Sequence, residues 1–491
     1  MTKNQPNPAA ATRHLPNPPT GRGLDVLEML AAGYLLLPVF VFVLGWLKLP
    51  YALPLAGAML PACLLVWRAR QRNSAGQPGF SKAELAGVAA LTVLWVSLSG
   101  LTDGFFLNRD WTTRMSLLRD LVVGSWPASY GQQEGADLIL RVPLGYYMVP
   151  ALAGKLSSLH GARVMLWIWT ALGTALFLYL VVGARPERQR GAWRTALLIA
   201  VFFSGMDIVG WLMLDRPALG IGRHIEWWLG WGQLSSNSTQ LFWVPNHCLP
   251  GWLAAVIAWR HRQHGLAAIP AALILLGVIF WAPLVAMGLL PMLLWCVWQR
   301  QGWQGLAKES LSLPLWALLP VTLVIWRFFT MGVRPIEGGT QELLMQVVGF
   351  VLLSLVEWVL LAWAVMRGGE RPALLVIGLL ELVVLPWMSY GPGNDLLMRG
   401  SIPALTILML CTIDAWHTAL PLRRTIITLL LLVGSVTPLL EIQRALQPGD
   451  RYLHEHEDFV QVNGKPWHYL APLSRPDVRA LVKQPQAMPR Q

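Results

Sequence analysis

The sequence predicts an all-α integral membrane protein of about 13 transmembrane helices, with interfacial helices in one long outer loop. Three observations carry this. Of the 491 residues 55% are hydrophobic and only 13% charged, against roughly a quarter charged in a soluble domain. Apolar runs of roughly 17–25 residues, the length that crosses a bilayer as a helix, recur along the chain. Trp is abundant, with 26 residues, and clusters at run ends, where the water–lipid interface favours it.

The first 23 residues are polar and Pro-rich and form an N-terminal tail. The run that follows is too long for a signal peptide and has no small-residue cleavage site, so it remains as a helix. The expected spans are 24–47, 50–67 and 83–101, then 161–183, 193–213, 242–260, 266–281, 283–298, 311–330, 344–366, 372–388, 401–418 and 424–440. Four regions follow beyond the tail: three spans over 24–101, an outer loop with interfacial helices over 102–160, a bundle over 161–441 and a polar C-terminal tail over 442–491. At about 50 residues that tail is too small to stand as its own domain. Leu144 to Leu159 is apolar but short and interrupted by Pro150, Gly154 and Lys155. Treated as interfacial or re-entrant, it leaves Arg68, Arg70, Arg72, Arg185, Arg188, Arg190, Arg194, Arg260, Arg262, Arg300, Lys308, Arg367, Arg371, Arg423 and Arg424 on one side. The positive-inside rule then puts the N-terminus in the cytoplasm and the C-terminus outside.

Composition narrows the function. The net charge of +12 comes from Arg in short loops, a topological signal, so nucleic acid is not an expected partner. Cys63, Cys248, Cys296 and Cys411 lie in or beside apolar runs without metal-ligand spacing and read as packing residues. No Walker A sequence, dinucleotide glycine fingerprint, GxSxG or HExxH occurs. Energy for any group transfer is therefore expected to arrive with an activated lipid.

The loop from Thr102 to Arg141 concentrates the polar chemistry. Trp111, Met115, Leu118 and Val122 share one face of a helix suited to lying in the interface, with Thr112, Arg119 and Asp120 elsewhere. Asp110, just before that helix, is either its cap or a carboxylate that takes a proton from an acceptor hydroxyl or helps hold a metal on a phosphate. Asp103 stands where the third span leaves the membrane, as a solvated helix end or a second functional acid. Arg114 follows Asp110 by four residues. Arg216, Arg223, His224 and Glu226 lie in the 214–241 loop. His247 opens the next span, as a hydrogen-bonded interface residue or a phosphate donor. Asn394 and Asp395 cap another span, and Arg399 sits one turn in. A guanidinium there needs a partner, either Asp395 at i,i+4 or a phosphate bound bidentately. Asp207, Glu357, Glu381 and Asp414 are acids within spans. His454 to Asp458 is acid- and His-rich but lacks a second ligand group at metal spacing, and reads as a solvated stretch.

Residues 100–190 resemble the GT-C superfamily of polytopic glycosyltransferases. The resemblance is carried by Asp103, Asn108-Arg109-Asp110-Trp111, Pro143-Leu144-Gly145-Tyr146-Tyr147 through Lys155, Ala162-Arg163 and the basic stretch from Arg185 to Arg194. Asn394-Asp395 with Met398-Arg399 is similar to a segment of bacterial members. This chain departs from the family in placing three spans before the loop instead of one, and in having no tandem acidic pair beside Asp103 or Asp110. The resemblance implies transfer of a sugar from a polyprenyl-phosphate-linked donor to a lipid, glycan or protein acceptor on the outer face of a bacterial inner membrane. It makes Asp110 and then Asp103 the catalytic acids, and Arg114, Arg223, His247, Asn394, Asp395 and Arg399 the substrate-binding set. No motif fixes a cofactor; a divalent cation such as Mg or Mn is compatible with the acids. A flippase of lipid-linked saccharide and a surface-polysaccharide polymerase or ligase are the alternatives.

Overall fold

The computed structural model describes residues 23–70, 79–101, 105–133, 135–184, 191–217, 223–332, 343–369, 372–391, 393–447 and 457–488. Among them nine helices are long and apolar enough to cross a membrane: Val26–Trp46, Leu49–Arg68, Lys82–Leu101, Leu159–Gly183, Ala192–Met213, Pro283–Ser310, Met345–Met366, Asp395–Thr418 and Pro421–Ala445. The chain is an integral membrane protein by that measure. Pro245–Arg260 and the shorter apolar stretches Ala268–Trp281, Leu313–Phe329 and Ala373–Trp387 occupy the remaining expected spans. Asp395–Thr418 is the central helix, with 89% of its apolar stretch buried, whereas Leu49–Arg68 lies on the rim at 17%. Cys248, Cys296 and Cys411 are buried and Cys63 half-buried, all four as free thiols.

Basic residues gather at one end of the bundle. Asp25 and Glu28 form a capping box at the start of the first helix, satisfying N–H groups that a helix end leaves open. Arg260 then pairs with both: its Nε donates to Glu28 Oε1 at 2.6 Å and Nη2 meets Asp25. His261 lies 3.2 Å from the other Glu28 oxygen. Arg262 reaches Asp414 at 3.3 Å, and Arg423 donates to the Ala364 carbonyl at 2.8 Å. Arg70, Arg262, Arg367 and Arg424 lie over Trp67, Trp259, Trp363 and Trp416, so cation–π contact accompanies interfacial anchoring. Glu28 is fully buried, and removing one partner of such a pair leaves an uncompensated charge. Arg260→Ala is expected to lower stability by about 3–5 kcal/mol, read as a lower melting midpoint in detergent. An unchanged midpoint would show the clamp to be ornamental.

The opposite end, here the loop face, carries the polar segments. The loop helix Arg109–Val123 is followed by strands β1 (Ala128–Gln133) and β2 (Ala136–Leu140), and the tail adds β3 (Leu470–Pro472) and β4 (Gln486–Ala487). They form one sheet in the order β3-β2-β1-β4, with β1 and β2 antiparallel, β2 and β3 antiparallel, and β1 and β4 parallel. The chain is otherwise helical, as expected, and this small sheet is an addition that the sequence did not announce. Local pattern could not reveal it, because two of the three strand pairings join residues more than 300 positions apart in sequence. The 442–491 tail is accordingly joined to the 102–160 loop.

The loop helix differs from the expected interfacial one. Its Arg119 and Asp120 are buried, at 3% and 0% exposure. Asp120 accepts from Tyr130 Oη at 2.7 Å, from the Phe459 amide at 2.7 Å and from Arg119 at 2.8 Å. The tail covers the side that would otherwise face water. The next helix, Gly145–Leu156, is too short to cross and packs antiparallel on Leu159–Gly183. Gly154 lies against Ala162, and Tyr146 Oη bonds Thr170 Oγ1 at 2.6 Å.

Candidate functional site

Four segments far apart in sequence bring their charged groups together on the loop face. The loop helix begins at Asn108, whose side chain accepts from the Asp110 amide at 3.1 Å. The cap is therefore Asn108, and Asp110 occupies the first turn instead of the cap position. Its carboxylate, 46% exposed, is left facing Arg114 at 3.5 Å. The helix start is held to the neighbouring segment by Asn108 Nδ2 and Trp111 Nε1, both donating to the Phe242 carbonyl at 2.8 and 2.9 Å.

Arg114 is buried. One guanidinium nitrogen donates to Asn246 Oδ1 at 2.8 Å and to Tyr147 Oη at 3.2 Å, while its buried Nε has no partner. Burial opposes this charge, but Tyr147, Asp110 and Tyr469 outweigh it and hold the guanidinium above its usual value. Beside Asn246 at the start of Pro245–Arg260 is His247, whose buried Nδ1 also lacks a partner. Arg114 and Arg399 are both within electrostatic range of it. Two buried nitrogens that could each serve an acceptor, next to two guanidinium groups, make a site that fits an anion.

The central helix supplies the far side. Asn394 adopts a left-handed conformation (φ 60) and its side chain accepts from the Leu397 amide, so it acts as a cap. Asp395 binds Arg399 at 2.9 Å, and the two side chains remain 26% and 17% exposed. The i,i+4 partner is thus in place, yet the guanidinium still faces the cluster, in range of His247 and Tyr469. Asp110 and His468 lie in range of Asp395. Trp467, His468 and Tyr469 come from the tail, and the Arg141 guanidinium donates to the Trp467 carbonyl at 2.7 Å. Burial raises the Tyr469 phenol, keeping it neutral and able to donate. Burial lowers His468, partly offset by Asp395.

Of the expected residues, Asp110, Arg114, His247, Asp395 and Arg399 meet in one cluster, with Asn394 beside it as a cap. Asp103 lies outside the described residues, as do His454, Glu455 and His456. Arg223 is elsewhere, over the Trp211 ring at 5.9 Å. Tyr147 enters from sequence only as the end of the Pro143-Leu144-Gly145-Tyr146-Tyr147 run, with no role assigned to it, and Asn246, His468 and Tyr469 carry no expectation. Nothing local marks the tail residues. Among the described residues, no group of three or more His, Cys, Asp or Glu side chains is arranged to hold a metal ion.

A second polar network lies nearby. His224 bonds Glu441 at 2.9 Å, and Glu441 also accepts from Trp243 at 2.9 Å and Arg444 at 3.1 Å. Glu226 is fully buried and accepts from the Ser236 amide at 2.8 Å and Gln233 at 3.2 Å. Deeper, Asp207 accepts from Ser204 at 3.1 Å and Thr437 at 2.7 Å, and Glu357 from Trp228 at 2.9 Å. These acids sit where Ala192–Phe202 breaks before Asp207–Met213. Gly205 is required at that break, since a Cβ would fall 1.8 Å from a Glu357 carboxylate oxygen.

Burial pushes Glu226 up to about 7, against the pull of His224. Burial alone would lower His224, but its bond to Glu441 and the Glu226 charge leave it raised. In both cases the folded chain holds protons that the unfolded chain releases, so stability falls as pH rises. The Glu226 contribution is lost between the ordinary carboxyl value of 4.5 and about 7, and that of His224 above the ordinary imidazole value of 6.5. The melting midpoint is expected to drop from pH 5 to pH 8, and Glu226→Gln to flatten the part below pH 7. A midpoint that rises over this range would contradict the assignment. No family model, no curated protein and no solved structure matches this chain.

Proposed function

We propose that the loop-face cluster is the active site of a membrane glycosyltransferase of GT-C type. It moves a sugar from a polyprenyl-phosphate-linked donor to a lipid, glycan or protein acceptor. The observation that carries this reading is the pair of unpartnered buried nitrogens, Arg114 Nε and His247 Nδ1, beside Arg399 and opposite the half-exposed Asp110. Arg114, His247 and Arg399 bind the donor phosphate, His247 as a neutral donor and the two guanidinium groups as the charges that offset the leaving phosphate. Asp110 takes the proton from the acceptor hydroxyl as it attacks the anomeric carbon; by family analogy the anomeric configuration inverts. Asp103 is the second acid. Asp395 steadies Arg399.

The accompanying topology is 13 crossings, with the N-terminus in the cytoplasm and the C-terminus and the cluster on the periplasmic face of a bacterial inner membrane. The gathering of Arg residues at the end away from the cluster supports that orientation. Donor choice tests the reading against a polysaccharide polymerase or ligase. With synthetic donors of equal sugar and lipid, the monophosphate is expected to be used and the diphosphate not. Preference for the diphosphate would replace this reading with the polymerase or ligase.

One observation favours a second reading, transport of a lipid-linked saccharide. Asp207, Glu357 and Glu226 form a buried acidic network at a broken helix, a place where transporters bind coupling ions. It predicts gradient-dependent movement of donor between leaflets, lost in Asp207→Asn, with no glycosidic bond formed.

A further inference from the structure

The C-terminal tail is stitched along the loop helix that carries Asp110 and Arg114. Thr113 Oγ1 donates to Asn463 Oδ1 at 2.6 Å, Asn463 Nδ2 donates to Ser116 Oγ at 3.3 Å, and the Phe459 amide donates to Asp120 at 2.7 Å. Thr113, Ser116 and Asp120 are spaced i, i+3, i+7, which is one face of a helix. On the far side of the same segment, the Arg141 amide donates to the Tyr469 carbonyl at 2.8 Å, and β3 begins at the next residue, paired with β2. Tyr469 is therefore fixed from both flanks, and its ring packs on Phe459 at 5.3 Å between centroids. Its phenol lies in range of Arg114, Asp110, Arg399 and Asp395, the charged groups of both helices that frame the cluster.

We propose that Tyr469 contacts substrate in the loop-face site, donating its hydroxyl to the phosphate held between Arg114 and Arg399. The tail segment from Phe459 to Pro472 is then a wall of the site, and Asp120 is the positioning residue that latches it. A neutral phenol suits this place: it adds a donor without adding charge to a cluster that already balances two guanidinium groups against two carboxylates.

The inference rests on the polyprenyl-phosphate reading, so its test separates the two. Binding of a short-chain polyprenyl phosphate to the full-length protein in detergent is measured for wild type, Tyr469→Phe and Asp120→Asn. Wild type is expected to bind, and Tyr469→Phe to bind about tenfold more weakly, the loss of one hydrogen bond to a charged group, with its melting midpoint unchanged. Asp120→Asn is expected to weaken binding together with faster proteolysis of the tail. Tight binding by wild type and equally tight binding by Tyr469→Phe would overturn the role of the tail alone. Failure of wild type to bind the lipid phosphate would overturn this inference together with the donor reading.

Discussion

Asp110→Asn is expected to lower the turnover of sugar transfer by about 100-fold or more, the range that a positioned general base contributes. The donor KM should change little. Asparagine keeps the shape of the side chain and can still bond Arg114, but it cannot take a proton from an attacking hydroxyl. The variant is a clean one because Asn108, and not Asp110, caps the loop helix. With Asp110 46% exposed, the substitution should move stability by no more than about 0.5 kcal/mol. Initial rates in proteoliposomes, with the melting midpoint measured in parallel, check both halves. Full turnover in the variant would remove Asp110 from the chemistry and leave Asp103 as the acid to test.

Arg399→Ala should act on binding. A guanidinium bonded to phosphate contributes about 1.5–3 kcal/mol, so the donor KM is expected to rise roughly 10- to 150-fold. Arg399→Lys should recover part of this, since the charge remains and the planar two-pronged contact is lost. Arg399 is better suited to this test than Arg114. Arg114 is buried against Asn246 and Tyr147, so its removal would strand two polar groups and confuse folding with binding. If Arg399→Ala leaves KM unchanged, Asp395 is the sole partner of this arginine and the phosphate lies elsewhere.

Much of the membrane part could be read from sequence because its cause is local. Apolar length and interfacial Trp placed most of the described helices to within a few residues, as with 193–213 against Ala192–Met213, while the helix expected over 283–298 runs on to Ser310 and the one expected from 401 begins at Asp395. The broken shape of that helix was not legible, since Gly205 is needed only to admit Glu357 from another segment. Asp110, Arg114, His247, Asp395 and Arg399 could be picked out singly as charges at helix ends. That they meet follows from the packing of the central helix against its neighbours, which no local pattern states. Arg119 and Asp120 were read as the polar side of an interfacial helix, because a local pattern cannot tell a charge facing water from one facing a distant tail. Tyr469 was missed for the same reason: Asn463, Arg141 and β2, which hold it, lie up to 350 positions from their partners.

The central claim is that this site makes a glycosidic bond. Purified wild-type protein is reconstituted into vesicles with a polyprenyl-phosphate donor carrying a labelled sugar, together with candidate acceptors from cell envelope extract. The label is expected in a new glycoside, with the lipid phosphate released in equal amount. Label that stays on the donor and only changes leaflet would contradict the account and establish transport in its place.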